Sequence, residues 1–179
     1  MEDLLMEITR IRNVKMPDKG HEFDAGFDFY LPEFNEQFIS DFFNHKGNSQ
    51  RMTAISKLPT IKNNILTIPP GENAVIPSGI KINILKNFVG IFLNKSSIAG
   101  NKDCLIGAQV IDSGYSGEIH IDLHNVNPLE ISFLSEDKIG QLLIIPVYTT
   151  LFEEITNKEY EESTKNVTRG NNGFGSTNK

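Results

Sequence analysis

Glu118-Ile-His-Ile-Asp-Leu123 alternates polar and apolar residues without a break. A period of two is the signature of a strand with one face in a core and one face in water. Gly79-Ile-Lys-Ile-Asn-Ile84 repeats the pattern, preceded by Ala74-Val-Ile-Pro77. Val89-Gly-Ile-Phe-Leu93 and Leu142-Leu-Ile-Ile-Pro-Val-Tyr148 read as buried strands, and residues 4–14 mix Ile, Leu and Met with charge in a further one. Pro69-Pro-Gly71, Pro77-Ser-Gly79 and Asn125-Val-Asn-Pro128 punctuate them as turns. Many short strands between regular turns predict an all-β domain, a sandwich or a distorted β-barrel of jelly-roll type.

One segment departs from the period of two. Phe34, Phe38 and Phe42 recur every fourth residue, flanked by Ile39 and Phe43, with Glu33, Glu36, Asp41 and Asn44 on the other side. That spacing predicts a short amphipathic helix ending near Gly47. With the polar stretch behind it, residues 33–64 read as an insertion in the β domain. Its helix either packs on the body or presents a surface to a partner protein. The expected organisation is a β domain over residues 1–165 and a flexible tail over residues 166–179.

The chain has 179 residues, 39% hydrophobic and 22% charged, enough for one buried core. A formal charge of −6 excludes a general nucleic-acid binder, which needs a basic face. The single cysteine, Cys104, excludes an internal disulfide and fits a reducing compartment as a buried thiol. The start lacks signal-peptide character, and the longest apolar run, residues 139–148, is too short for a membrane span. A cytoplasmic protein is expected, or a nuclear one in a eukaryotic cell.

Several polar segments interrupt the strands. Val110-Ile-Asp-Ser-Gly-Tyr-Ser-Gly-Glu118 carries Asp112 at a tight hairpin, either a turn-capping carboxylate or a general base beside the aromatic Tyr115. Asn94-Lys-Ser-Ser-Ile-Ala-Gly100 follows a strand and offers a cation, two hydroxyls and backbone amides, which suit a polyphosphate. Asp137-Lys-Ile-Gly-Gln141 enters a buried strand, and Asp24-Ala-Gly-Phe-Asp28 is an acidic bend. The terminal Arg169-Gly-Asn-Asn-Gly-Phe-Gly-Ser-Thr-Asn-Lys179 cannot build a core. Its glycines permit close backbone approach, Phe174 offers a flat face and Arg169 a fork for phosphate.

Taken in order, these segments resemble the five motifs of the trimeric deoxyuridine triphosphatases (dUTPases). Ala25-Gly-Phe-Asp28 resembles the first, Lys95-Ser-Ser-Ile-Ala99 the second, and Gly107-Ala-Gln-Val-Ile-Asp-Ser-Gly-Tyr-Ser-Gly117 the third. Asp137-Lys-Ile-Gly-Gln-Leu142 resembles the fourth and residues 169–177 the fifth. The resemblance runs from about Met6 to the C-terminus, broken by residues 33–64. It implies hydrolysis of dUTP to dUMP and pyrophosphate in a homotrimer whose sites draw on more than one subunit. Asp112 would activate the water that attacks the α-phosphorus. Lys95, Ser96, Ser97 and Gln141 would meet the phosphates, with Mg²⁺ bound to those phosphates and Asp28 reaching it through water. Tyr115 would pack on the deoxyribose and exclude a 2′-hydroxyl. Backbone from Gly107 to Asp112, including Gln109 and Ile111, and backbone near His120 would read the uracil. In the tail, Phe174 would stack on the base while Arg169, Gly175 and Ser176 meet phosphate.

The chain departs from the family at Asn94-Lys95, where Pro-Arg is usual, at Gln109 for glycine, at Ser116 for arginine and at Asn172 for glycine. Lysine keeps the charge and loses the bidentate fork. A sister family on the same fold deaminates dCTP with a glutamate near the position of Asp122. The shorter aspartate and the Ser113-Gly-Tyr115 sequence speak against that chemistry. A nucleotide-controlled regulatory binder is the third reading, motivated by the insertion.

Overall fold

A computed structural model describes residues 5–49 and 58–167. Twelve strands and four short helices are present among the described residues. The strands are β1 (Glu7–Arg10), β2 (Phe27–Tyr30), β3 (Thr60–Lys62), β4 (Ile65–Ile68), β5 (Asn73–Pro77) and β6 (Ile80–Asn83). They continue as β7 (Phe88–Leu93), β8 (Cys104–Ile106), β9 (Val110–Asp112), β10 (His120–Asn125), β11 (Ile131–Leu134) and β12 (Lys138–Pro146). The helices are α1 (Glu36–Asn44), α2 (Lys46–Ser49), α3 (Ser96–Lys102) and α4 (Asn157–Thr164). The chain divides into two compact units, Met1–Val147 and Tyr148–Lys179. The first holds every strand; the second holds α4, which is capped by Thr156 and Glu159 in a reciprocal box.

The strands order as β1-β6, β5-β10-β8, β11-β4-β3 and β2-β12-β7-β9, with every strand pair antiparallel. This is an all-β jelly-roll type arrangement, and the sheets do not close into a barrel. The period-two stretches land as expected. In β10, Ile121 and Leu123 are buried while Asp122 and His124 face the other way. Phe29 and Phe92 cross edge to face at 5.1 Å in the core, between strands β2 and β7 that both flank β12. Cys104 is buried and free, its thiol pushed up to about 11 by desolvation.

Two expectations need correcting. The stretch read as irregular up to Asn64 contains α2 and β3, and β3 turns into β4 through Asn63 and Asn64, both at positive φ. Two asparagines in the left-handed region make a tight hairpin that matches strand twist. The strand expected to run to Tyr148 stops at Pro146, and Tyr148 is 95% exposed.

The inserted helix takes the packing alternative. Asn35 caps α1, accepting from the Phe38 amide, and Phe34, Phe38 and Phe42 are all buried in the common core. The helix ends at Asn44 rather than Gly47, and α2 follows at once. Asn48 then bonds both ways with the backbone of Val75, donating to its carbonyl at 2.8 Å and accepting from its amide at 2.9 Å. That side chain serves β5, the edge of its sheet, as a neighbouring strand would.

Candidate active site

The four-stranded sheet positions most of the predicted residues. Asp28 sits on β2 opposite Gln141 of β12, and Gln141 in turn lies opposite Leu93 at the end of β7. Lys95 follows two residues beyond Leu93, and Lys138 opens β12. The Asp28 carboxylate is 4% exposed. One oxygen takes the Lys95 ammonium and the other the Lys138 ammonium, the latter at 2.7 Å. Burial alone would raise the Asp28 carboxyl, but the hydrogen bonds from Lys138 and Lys95 outweigh it and hold the group below the ordinary carboxylate range.

Lys138 is the residue that sequence reading missed. The signal was a second cation in Asp137-Lys138, entering a strand that had to lie against the acidic bend. The Gln141 amide donates to the Asn94 carbonyl at 2.9 Å, and Asn94 Oδ1 accepts from the Ile106 amide at 2.8 Å. Asn94, where proline is usual, therefore ties the loop after β7 to β8. Ser96 and Ser97 form the exposed first turn of α3.

Asp28 corrects the expectation of a metal-facing carboxylate. Both its oxygens are engaged by ammonium groups, and no cluster of three or more acids, histidines or cysteines suited to a metal exists among the described residues. The protein side chains described here do not fit a resident metal site.

The other predicted group lies at the far end of β7. Asp112 ends β9 opposite Val89 and is exposed. Ile111 opposes Gly90 and packs against the core. The turn closes with the Tyr115 amide donating to the Asp112 carbonyl at 3.0 Å. Tyr115, 45% exposed, folds back so that its hydroxyl donates to the Glu118 carbonyl at 2.6 Å. Gly117 makes this possible, since a β-carbon there would stand 2.6 Å from that hydroxyl. The Gln109 carbonyl accepts from the Phe92 amide at 2.8 Å, while its side chain turns back to the Ile106 carbonyl at 3.3 Å. His120 begins β10, and its Nδ1 lies 2.9 Å from the Glu118 carbonyl.

Lys95 and Asp112 are not brought together in one chain. From Val89 to Lys95 is six residues, about 20 Å in extended backbone. Each half is well formed, one cationic and one carrying a carboxylate and an aromatic. Arg169, Phe174, Gly175 and Ser176 lie outside the described residues. Asp122 is engaged elsewhere: it accepts from the Asn73 amide and lies 2.9 Å from His124 Nε2.

Residues 61–178 match the dUTPase family model. The chain belongs to the dUTPase family. The deoxyuridine 5′-triphosphate nucleotidohydrolase of Mycolicibacterium vanbaalenii is 27% identical over 99% of this chain and 96% of that protein. The one from Nitrosospira multiformis is 34% identical over 64% of this chain and 75% of its own length. Among solved structures, the dUTPase of Staphylococcus bacteriophage 80alpha with dUPNHPP superposes with a TM-score of 0.71 at 20% identity, covering 96% of this dUTPase and 97% of that chain. The phage phi11 dUTPase, in which a structural Mg(II) ion is coordinated, superposes at 0.64 with 19% identity, covering 87% and 99%. At these identities the structural matches establish the fold.

Proposed function

We propose that this dUTPase cleaves dUTP to dUMP and pyrophosphate, at sites that each take the Asp112 hairpin from one subunit of a homotrimer and the Lys95–Asp28–Lys138 cluster from another. The observation that carries this is the pair of intact half-sites at opposite ends of β7. A base must lie within a hydrogen bond of its water, and that water about 3–3.5 Å from the atom attacked. A triphosphate reaching from Asp112 to Lys95 therefore fits across two chains and not within one.

In this reading Asp112 accepts a proton from water as the water oxygen bonds the α-phosphorus, and the bond from that phosphorus to the bridging oxygen of pyrophosphate breaks. The reaction needs positioning and charge neutralisation more than covalent help. Lys95 and Lys138 supply two positive charges, Gln141 an amide, and Ser96 and Ser97 hydroxyls. The phosphates compete with Asp28 for the ammonium groups, so Asp28 keeps both lysines extended toward the site before substrate arrives. Tyr115, fixed by its bond to Glu118, lies along the deoxyribose. Backbone at Gln109, Ile111 and His120 reads the base, and the tail closes over it with Phe174, Arg169, Gly175 and Ser176. Mg²⁺ bound to the triphosphate would add charge neutralisation; the side chains described above hold no place for it on their own.

The test is pyrophosphate release from dUTP, dCTP, dTTP and UTP, with wild type beside Asp112→Asn. Release from dUTP alone, reduced on the order of 10²–10⁴-fold in the variant, is the expected result. Ammonia release from dCTP would move the assignment to the deaminase chemistry, which the engaged Asp122 does not favour.

A further inference from the structure

The inserted segment touches the hairpin that carries Asp112 and Tyr115 through two separate connections. Asp41, on the outer side of α1, accepts from Arg12 at 2.7 Å. Arg12 also forks onto Glu118, Nε to Oε1 at 2.8 Å and an amino group to Oε2 at 2.9 Å. The side chains of Arg12 and Glu118 are each 11% exposed, so water screens this bridge little. Glu118 Oε1 accepts a further bond from the Gly79 amide at 2.7 Å, aimed by a positive φ of 77° at Gly79. Beyond the end of α1, the His45 ring stacks on His120 at 4.5 Å between centroids, with 27° between planes.

Both connections meet at one residue. The Glu118 side chain is held by Arg12 and Gly79, and its carbonyl receives the Tyr115 hydroxyl and lies against His120 Nδ1. Moving Glu118 therefore moves the ring of Tyr115. Gln37 donates to Asp41 Oδ1 at 2.9 Å and steadies the carboxylate that Arg12 needs.

We propose that Asp41 and His45 of the insertion are positioning residues for the nucleotide hairpin, acting through Arg12, Glu118 and His120 to hold Tyr115 against the sugar. The inference rests on the dUTP-hydrolysing reading and adds a role for the insertion in distinguishing deoxyribose from ribose. A carboxylate on an inserted helix, joined through one arginine to the base of the hairpin, transmits the helix's position because a guanidinium fork fixes direction as well as distance.

The experiment measures kcat and KM for dUTP and for UTP, with thermal melting, in wild type, Asp41→Ala, Asp41→Asn and Asp41→Glu. The expected result is a roughly 3- to 30-fold loss in kcat/KM for dUTP in Asp41→Ala, a smaller loss for UTP, and recovery in Asp41→Glu. Asp41→Asn keeps the side chain's shape and gives the same reading if Asp41→Ala does not fold. A folded Asp41→Ala or Asp41→Asn with a lower melting temperature but unchanged kinetic constants and an unchanged dUTP-to-UTP ratio would overturn the inference alone. A wild type that releases no pyrophosphate from dUTP would overturn the functional reading, and this inference with it.

Discussion

Mixing two inactive variants should restore activity. Asp112→Asn removes the base at one end of β7, and Lys95→Gln removes a phosphate cation at the other. The two positions stand about 20 Å apart in one chain, several times the reach from a base through its water to phosphorus. If each site joins Asp112 of one subunit to Lys95 of the next, every site in either pure variant is damaged. In trimers assembled at random from equal amounts, a site is whole when its Asp112 comes from the lysine variant and its Lys95 from the aspartate variant. That condition holds for about one quarter of sites, so recovered turnover should approach about a quarter of wild type per site. The assay is pyrophosphate release from dUTP by differently tagged variants, co-assembled and purified through both tags. Purification enriches mixed trimers, so the yield rises above the random value and never falls to that of the parents. Recovery no greater than the sum of the two parents, in trimers shown to contain both, would mean that each site draws Asp112 and Lys95 from one chain and would refute the reasoning.

Asp28→Asn should lower stability by about 2 kcal/mol in urea titration, less than a fully buried pair would cost because Lys138 is 42% exposed. Because the folded Asp28 carboxyl lies below its ordinary range, its contribution is present above about pH 4 and is lost as pH falls through the folded value, so acid unfolding of Asp28→Asn should be shallower than that of wild type. His45 is held below the ordinary histidine value by burial and by its neighbour His120. A depressed histidine contributes stability above about pH 6.5 and loses it as the pH drops below, so melting temperature should fall with acidification in that window, and His45→Phe should flatten the slope. Phe42→Ala, at a side chain 1% exposed, should cost about 3–5 kcal/mol by chemical denaturation, since the cavity sits in the core.

What the sequence determined is the part governed by local rules. Strand faces at β6 and β10 follow from a period of two, the helix at residues 36–44 from phenylalanines at every fourth position, and the five motifs from their order along the chain. The Asn63-Asn64 hairpin was also local, and was passed over because it follows a polar stretch. Tertiary structure decided everything that depends on residues far apart in sequence. Asp28 and Lys138 are separated by 110 positions, and only the pairing of β2 with β12 turns a metal-facing candidate into the partner of two lysines. Arg12 and Glu118 are separated by 106, and no periodicity connects them. The division of the site has the same origin. Motifs two and three look like one cluster in the sequence, yet β7 is straight and extended, and a strand rises about 3.3 Å per residue. Lys95 follows one end of it while Asp112 pairs at the other, so neighbours along the chain end as opposite halves of a site that a second subunit must complete.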